Sequence, residues 1–184
     1  MTTVATSPAT LAPALRRLYF ARFGFALVWA GLLFVTASSL GPVSATLLVL
    51  YPVFDVVAAV LDARSAKATR SALGLYANIA ISGAAALGLA LAASSGIPAV
   101  LRVWGAWAIV SGLIQLSVGV LRRHLDGHWP MIISGAISAV AGTSFILQAT
   151  QDGASLTTLA GYATLGGVFF LVSALRLARA GTKA

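Results

Sequence analysis

Six long apolar runs constrain the fold of this chain more than any other feature. They cover residues 19–39, 44–61, 72–94, 98–121, 129–149 and 154–175. Each is close to the roughly 17 to 25 residues that an α-helix needs to cross a bilayer. Charged residues make up only 9% of the chain, so few polar groups are available to cover a water-exposed surface. We therefore predict an all-α, polytopic membrane protein with six transmembrane helices.

The runs define one transmembrane domain, residues 19–178, between short tails at 1–18 and 179–184. The segment LRRLYF ahead of the first run contains the twin arginines of one type of export signal. Arg22 would interrupt the hydrophobic region of such a signal. We therefore expect the first run to remain in the protein as a membrane span.

Positive charge is distributed unevenly between the two sides of the predicted bundle. The connections DARSAKATRS and RRHLDGH are basic, and of the 12 lysines and arginines only Arg102 falls on the side opposite to the others. The positive-inside rule then predicts that both termini lie in the cytoplasm. The formal net charge of +8 is explained by orientation rather than by nucleic-acid binding. The basic rim is expected to contact anionic lipid headgroups.

The even-numbered runs resemble one another. Their alignment brings Tyr51, Trp104 and Tyr162 into register. The aligned segments are LVLYPVFDVVAAVLDAR, LRVWGAWAIVSGLIQL and LAGYATLGGVFFLVSALR. A unit of two helices returns to its starting side of the membrane. We therefore predict three parallel helix-hairpin repeats around a pseudo-threefold axis along the membrane normal.

Small residues recur along the predicted helices. The stripes are SGAAALG (82–88), GAISAVAG (135–142) and GYATLGG (161–167), and Gly24 and Gly31 of the first run mirror Gly135 and Gly142 of the fifth. Lipid provides no hydrophobic drive for helix association, so close approach depends on such residues. We expect them to serve helix packing.

Three segments carry a resemblance to a known family. They are RVWGAWAIVSGLIQLSVGVLRR, GHWPMIISGAISAVAG and GYATLGGVFFLVSALRL. They resemble the HdeD-like family of acid-resistance membrane proteins, which are six-helix bacterial inner-membrane proteins built from a short repeat. The likeness covers nearly all residues from about 20 to 178. It implies a protective role in acid or envelope stress and supplies no catalytic residues.

Three ionisable residues, Arg22, Asp55 and Arg102, fall within the predicted helices. Such residues are rare in spans because a charge at mid-helix costs roughly 2.5 to 3.5 kcal/mol. Arg22 and Asp55 lie at similar depth, and we predict an ion pair that ties the first hairpin together. The alternative is that Arg22 extends to the headgroups and Asp55 is protonated. Arg102 lies near the other face, where it either reaches outward or meets Asp152.

The connection RRHLDGH (122–128) contains His124 and His128 just before the fifth run. Trp129 suits the aromatic belt of a membrane interface, and Pro130 suits the first turn of a helix, so the segment is explained as a loop entering the membrane. A second hypothesis is pH sensing, because histidines titrate near 6.5. The flanking arginines disfavour a metal site.

The sequence contains no enzyme signature that we recognise. Its four acidic residues provide few candidates for a general acid or base. We expect a non-enzymatic protein without a cofactor. Its partners are expected to be the lipid bilayer and either further copies of itself or a larger membrane complex. Three functions remain open: stress tolerance of the HdeD-like type, an accessory subunit of a membrane complex, and a small channel or carrier with a pore on the pseudo-threefold axis.

Polar residues within the spans are expected to hydrogen-bond between helices: Asn78, Ser82, Ser111, Gln115 and Gln148.

Overall fold

The structure is a computed structural model that describes residues 8–65, 72–121, 123 and 129–181. Its long helices are α1 (Pro8–Thr36), α2 (Pro42–Ser65), α3 (Ala72–Ala92), α4 (Ile97–Leu121), α5 (Trp129–Gln148) and α6 (Thr157–Gly181). Each of them, α3 together with the short 3-10 turn Ala93–Ser95 that follows it, provides a stretch of 20 to 25 residues that is long and apolar enough to cross a membrane. The chain is therefore an all-α integral membrane protein with six membrane-spanning helices in its described part, as predicted.

The helices extend beyond the predicted apolar runs at both ends of the chain. Helix α1 begins at Pro8, within the predicted N-terminal tail, and α6 continues to Gly181, within the predicted C-terminal tail. The apolar stretches of these helices begin at Leu15 and end at Arg179. The extensions are rich in alanine, leucine and arginine, which favour a helix in any solvent. An apolar run marks only the part of a helix that lies in hydrocarbon, so the helices are longer than the runs.

The six helices form a ring in which each packs against its neighbours in the chain, and α6 closes the ring on α1. Packing is most extensive between α4 and α5, between α1 and α6, and between α2 and α3. The closest pairs thus join helices from different predicted hairpins. The pseudo-threefold repeat itself stays a prediction.

Glycines set the closest approach in the bundle, between α4 and α5. A Cβ built on Gly112 of α4 would lie 2.7 Å from the carbonyl oxygen of Gly135, and one built on Gly142 of α5 would lie 2.5 Å from that of Gly105. The two backbones therefore touch directly, which only glycine allows. On each helix the two glycines are seven residues apart, a spacing typical of helices that cross at roughly 20°.

The other predicted small-residue positions do not repeat this contact. A Cβ built on Gly24 or Gly31 of α1 would meet no atom within 4 Å, so these glycines do not copy the packing of Gly135 and Gly142. Helices α5 and α6 are instead joined by hydrogen bonds. The hydroxyls of Ser138 and Tyr162 lie 2.9 Å apart, and Thr158 Oγ1 donates to Gln148 Oε1 at 2.8 Å.

Aromatic side chains fill the centre of the ring. Trp29 of α1 and Trp104 of α4 come from opposite helices, yet their ring centroids are 5.4 Å apart and the two residues are 1% and 0% exposed. Tyr51 of α2 packs against both, at 4.7 Å from Trp29 and 5.6 Å from Trp104. Trp29 Nε1 also donates a 2.6 Å hydrogen bond to the carbonyl of Leu47 in α2. These rings fill the centre of the described bundle at this level.

Substitution of Gly112 by alanine should lower the free energy of unfolding by about 1 to 3 kcal/mol, the usual cost of overpacking. The reason is that its Cβ would lie 2.7 Å and 2.8 Å from backbone atoms of Gly135 and Ala139. Thermal unfolding in mild detergent measures the effect. The matched control is Gly161→Ala in α6, whose Cβ would meet no atom within 4 Å. Equal stability of the two variants would contradict direct backbone contact between α4 and α5.

Candidate functional site

An ion pair lies inside the membrane-spanning part of the bundle. Arg22 Nη1 of α1 is 3.2 Å from Asp55 Oδ1 of α2, and the two side chains are 14% and 20% exposed. Counted along the helices, Arg22 lies about 10 Å and Asp55 about 9 Å from the ends of their apolar stretches at Leu15 and Leu61. The predicted pair between α1 and α2 is confirmed.

The second oxygen of Asp55 accepts hydrogen bonds from a third helix. Asn78 Nδ2 and Ser82 Oγ of α3 each donate to Asp55 Oδ2 at 2.9 Å. Trp107 Nε1 of α4 donates to Ser82 Oγ at 3.2 Å, so the serine hydroxyl accepts from one helix and donates to another. We call Arg22, Asp55, Asn78, Ser82 and Trp107 the polar cluster. It connects α1, α2, α3 and α4.

The position of the Arg22 guanidinium indicates the charge of Asp55. This group lies 3.2 Å from Asp55 Oδ1, and it is a donor that stays charged in proteins. A cation at this distance stabilises an ionised carboxylate and does not stabilise a neutral carboxyl group. The geometry therefore favours the ionised form paired with Arg22 over a protonated Asp55 with a separately placed arginine.

Aromatic rings enclose the charged pair. The Arg22 guanidinium lies 5.1 Å from the ring centroid of Phe170 in α6, within the range of a cation–π interaction. Tyr19 stacks on the same Phe170 ring at 6.3 Å. On the other side, Phe25 of α1 and Phe54 of α2 stack at 3.8 Å. Helix α6 thus also contributes to the surroundings of the polar cluster.

Two cavities lie near α2. The first has a volume of 30 Å³ and is lined by Arg22, Phe25, Tyr51, Phe54, Asp55 and Phe170. It can hold about one water molecule and is too small for an organic substrate. The second is an open apolar groove of 440 Å³ on the outside of α2 and α3, lined by Ala45, Thr46, Val49, Leu50, Val53, Ala90 and Ala93. Its lining offers almost no polar group for ligand recognition.

The remaining predicted residues lie away from the polar cluster. Arg102 and Asp152 are both exposed, and no ion pair joins them in the described part of the chain, so Arg102 reaches outward instead. His124 and His128 lie outside the described residues, and their pH-sensing role stays a prediction. Helix α5 begins at Trp129, which is 63% exposed, as expected for an interfacial aromatic residue.

The sequence predicts interhelical hydrogen bonds for Asn78 and Ser82 but does not connect these residues with Asp55. Their spacing of four residues places both on one face of α3, and this is the signal that could have found the site. Trp107 and Phe170 carry no comparable signal, because aromatic residues are common throughout such helices. Ser111, predicted to bond between helices, has a buried Oγ without a hydrogen-bond partner among the described residues.

Comparisons with known proteins add no relative to this picture. No protein family model, no curated protein and no solved structure matches the chain. The likeness to the HdeD-like family accordingly stays a prediction from the three sequence segments that carry it.

Replacing Arg22 with leucine should destabilise the protein by up to about 3 to 5 kcal/mol, because it leaves the partly buried Asp55 carboxylate without its counter-charge. The double variant R22L/D55L should recover much of this loss, since no charge is then buried. Unfolding in detergent of the two single variants and the double variant measures the coupling. Arg102→Leu is the control, because Arg102 is exposed and forms no ion pair with a described residue. Strictly additive effects would contradict the pair.

Proposed function

We propose that the protein is a non-catalytic integral membrane protein that acts in tolerance of acid or envelope stress. The main support for a non-catalytic protein is that the groups of the polar cluster bind one another and leave little room for a substrate. The partners of Asp55 all come from the bundle itself, and the cavity beside it has room for about one water molecule. The stress role is supported by the resemblance to the HdeD-like family.

The proposed location is the bacterial inner membrane, with the end of the bundle that carries both termini in the cytoplasm. Charge supports this orientation. Arginines that are exposed at this end are Arg16, Arg17, Arg123, Arg176 and Arg179, whereas Arg102 is exposed near the other end. We call the arginine-rich end the basic end. Positive residues accumulate on the cytoplasmic side of inner-membrane proteins.

A channel or carrier with a pore along the axis is less well supported. The rings of Trp29, Tyr51 and Trp104 meet at the centre of the described bundle. A solute that moved along the axis would have to displace these rings. The aromatic centre thus argues for a closed bundle rather than a conduit.

An accessory subunit is the second candidate, and the outer face of α1 favours it. The exposed side of this helix carries two glycines and two valines at helical spacing: Gly24, Val28, Gly31 and Val35. A Cβ built on either glycine would meet no atom within 4 Å. Gly135 and Gly142, at the same spacing, bring α5 into backbone contact with α4. The face of α1 therefore suits the approach of a further transmembrane helix.

A strain that lacks the gene should survive acid or envelope stress less well than its parent, and a plasmid copy of the wild-type protein should restore survival. Colony counts after exposure to low pH and to an envelope-active agent measure this. A copy with Gly112→Leu, which the α4–α5 contact should not tolerate, is expected to fail. A copy in which glutamine replaces His124 and His128 tests the pH-sensing hypothesis separately. Unchanged survival of the deletion strain would overturn the stress role.

Leucine in place of Gly31 should abolish association if α1 docks against another membrane helix, while the isolated protein keeps its stability. Native mass spectrometry of the protein from mild detergent gives the assembly state, and unfolding in the same detergent gives the stability. Gly161→Leu, which fills open space on α6, is the control. A wild-type protein found only as a free monomer would remove the accessory-subunit candidate.

A further inference from the structure

Helices α1 and α6 bring four exposed arginines to the basic end of the bundle. They are Arg16 and Arg17 of α1 and Arg176 and Arg179 of α6. The two helices pack closely, and the stacked rings of Tyr19 and Phe170 fix their relative level. Counted along the helix axes from these rings, the four arginines lie about 3 to 14 Å closer to the basic end. We call these four residues the arginine seam.

No counter-charge for the arginine seam is found among the described side chains. Neither α1 nor α6 contains an aspartate or a glutamate. The two acidic side chains that the structure describes are engaged or remote, because Asp55 is bound to Arg22 and Asp152 lies toward the opposite end. Four exposed guanidinium groups near a membrane surface thus have no ion-pair partner among the described side chains. Such groups bind phosphate with planar, bidentate geometry.

Exposed apolar side chains lie directly below the seam, on the membrane side. Phe20 follows Arg16 by four residues, and Val172 and Leu175 precede Arg176 and Arg179 by four. Residues four apart share one face of a helix. These apolar residues are 41%, 40% and 43% exposed. Each of these three arginines is thus paired with an apolar residue one turn deeper in the membrane, which is the order of headgroup and acyl chain in a phospholipid.

We propose that the arginine seam binds the headgroup phosphate of an anionic phospholipid, whose acyl chains lie against Phe20, Val172 and Leu175. A free phosphate ion would use the guanidinium groups but not the apolar residues beneath them. A zwitterionic lipid would use the apolar residues but would bring a cationic group to the four arginines. Basic sites between transmembrane helices are known to bind anionic headgroups in this way. The proposal does not depend on the stress role.

Lipid titration of the full-length protein in mild detergent tests the proposal, with native mass spectrometry to count bound lipid. Phosphatidylglycerol should bind the wild-type protein in preference to phosphatidylcholine, and inorganic phosphate should not displace it. Each neutralised arginine of the seam should weaken binding about fivefold, and R16Q/R179Q about 30-fold. The control R102Q, which removes an exposed arginine near the other end, should bind like wild type.

A charge-retaining variant, R16K/R179K, guards against a general loss of folding. It should bind more strongly than R16Q/R179Q and less strongly than wild type, because lysine keeps the charge and lacks the bidentate geometry. Equal binding of phosphatidylglycerol and phosphatidylcholine would overturn the proposal. So would an equal loss of affinity in R102Q, or full displacement of the lipid by inorganic phosphate.

Discussion

The Asp55 carboxylate is the constraint on which the arrangement of the first four helices depends. Hydrocarbon cannot solvate a charge, so the protein itself must provide the counter-charge and the hydrogen-bond donors for the Asp55 carboxylate. Arg22 supplies the counter-charge from α1, and Asn78 and Ser82 supply two hydrogen bonds from α3. Trp107 completes the chain from α4 through Ser82. A rotation of any one of these helices would break at least one of these contacts, and that cost favours the observed packing.

The bundle combines three kinds of helix contact. Each is suited to a lipid environment, in which the hydrophobic effect does not drive helices together. Around Asp55, hydrogen bonds and charge select the partners. Between α4 and α5, glycines let the backbones touch and maximise dispersion contacts. At the centre, the rings of Trp29, Tyr51 and Trp104 fill the space that six helices leave between them. The arginines at the basic end then meet the membrane surface.

The sequence was sufficient to predict the six spans and to place Arg22 and Asp55 at similar depth, because the length of an apolar run and the distance of a residue from its end both indicate depth in the membrane. Whether the two residues pair stayed open between an ion pair and a separately placed arginine. The sequence was not sufficient to predict which way each helix faces. Asn78 and Ser82 were therefore not linked to Asp55, and Gly24 and Gly31 were matched to glycines that pack quite differently. Lipid-facing and protein-facing residues are both apolar, so composition does not separate the two sides of a membrane helix. The helical extensions at Pro8 and Gly181 were missed because hydropathy ends before the helix does.

Infrared spectroscopy of the protein reconstituted in lipid tests most directly whether an ionised Asp55 organises the bundle. Isotope labelling of the aspartate side chains identifies their carboxyl bands, and the difference between wild type and Asp55→Asn isolates the contribution of Asp55. At neutral pH the difference should contain the bands of an ionised carboxylate. A band of a protonated carboxyl group in that difference would mean that Arg22 and Asp55 are not a charged pair, and would contradict this account of the fold.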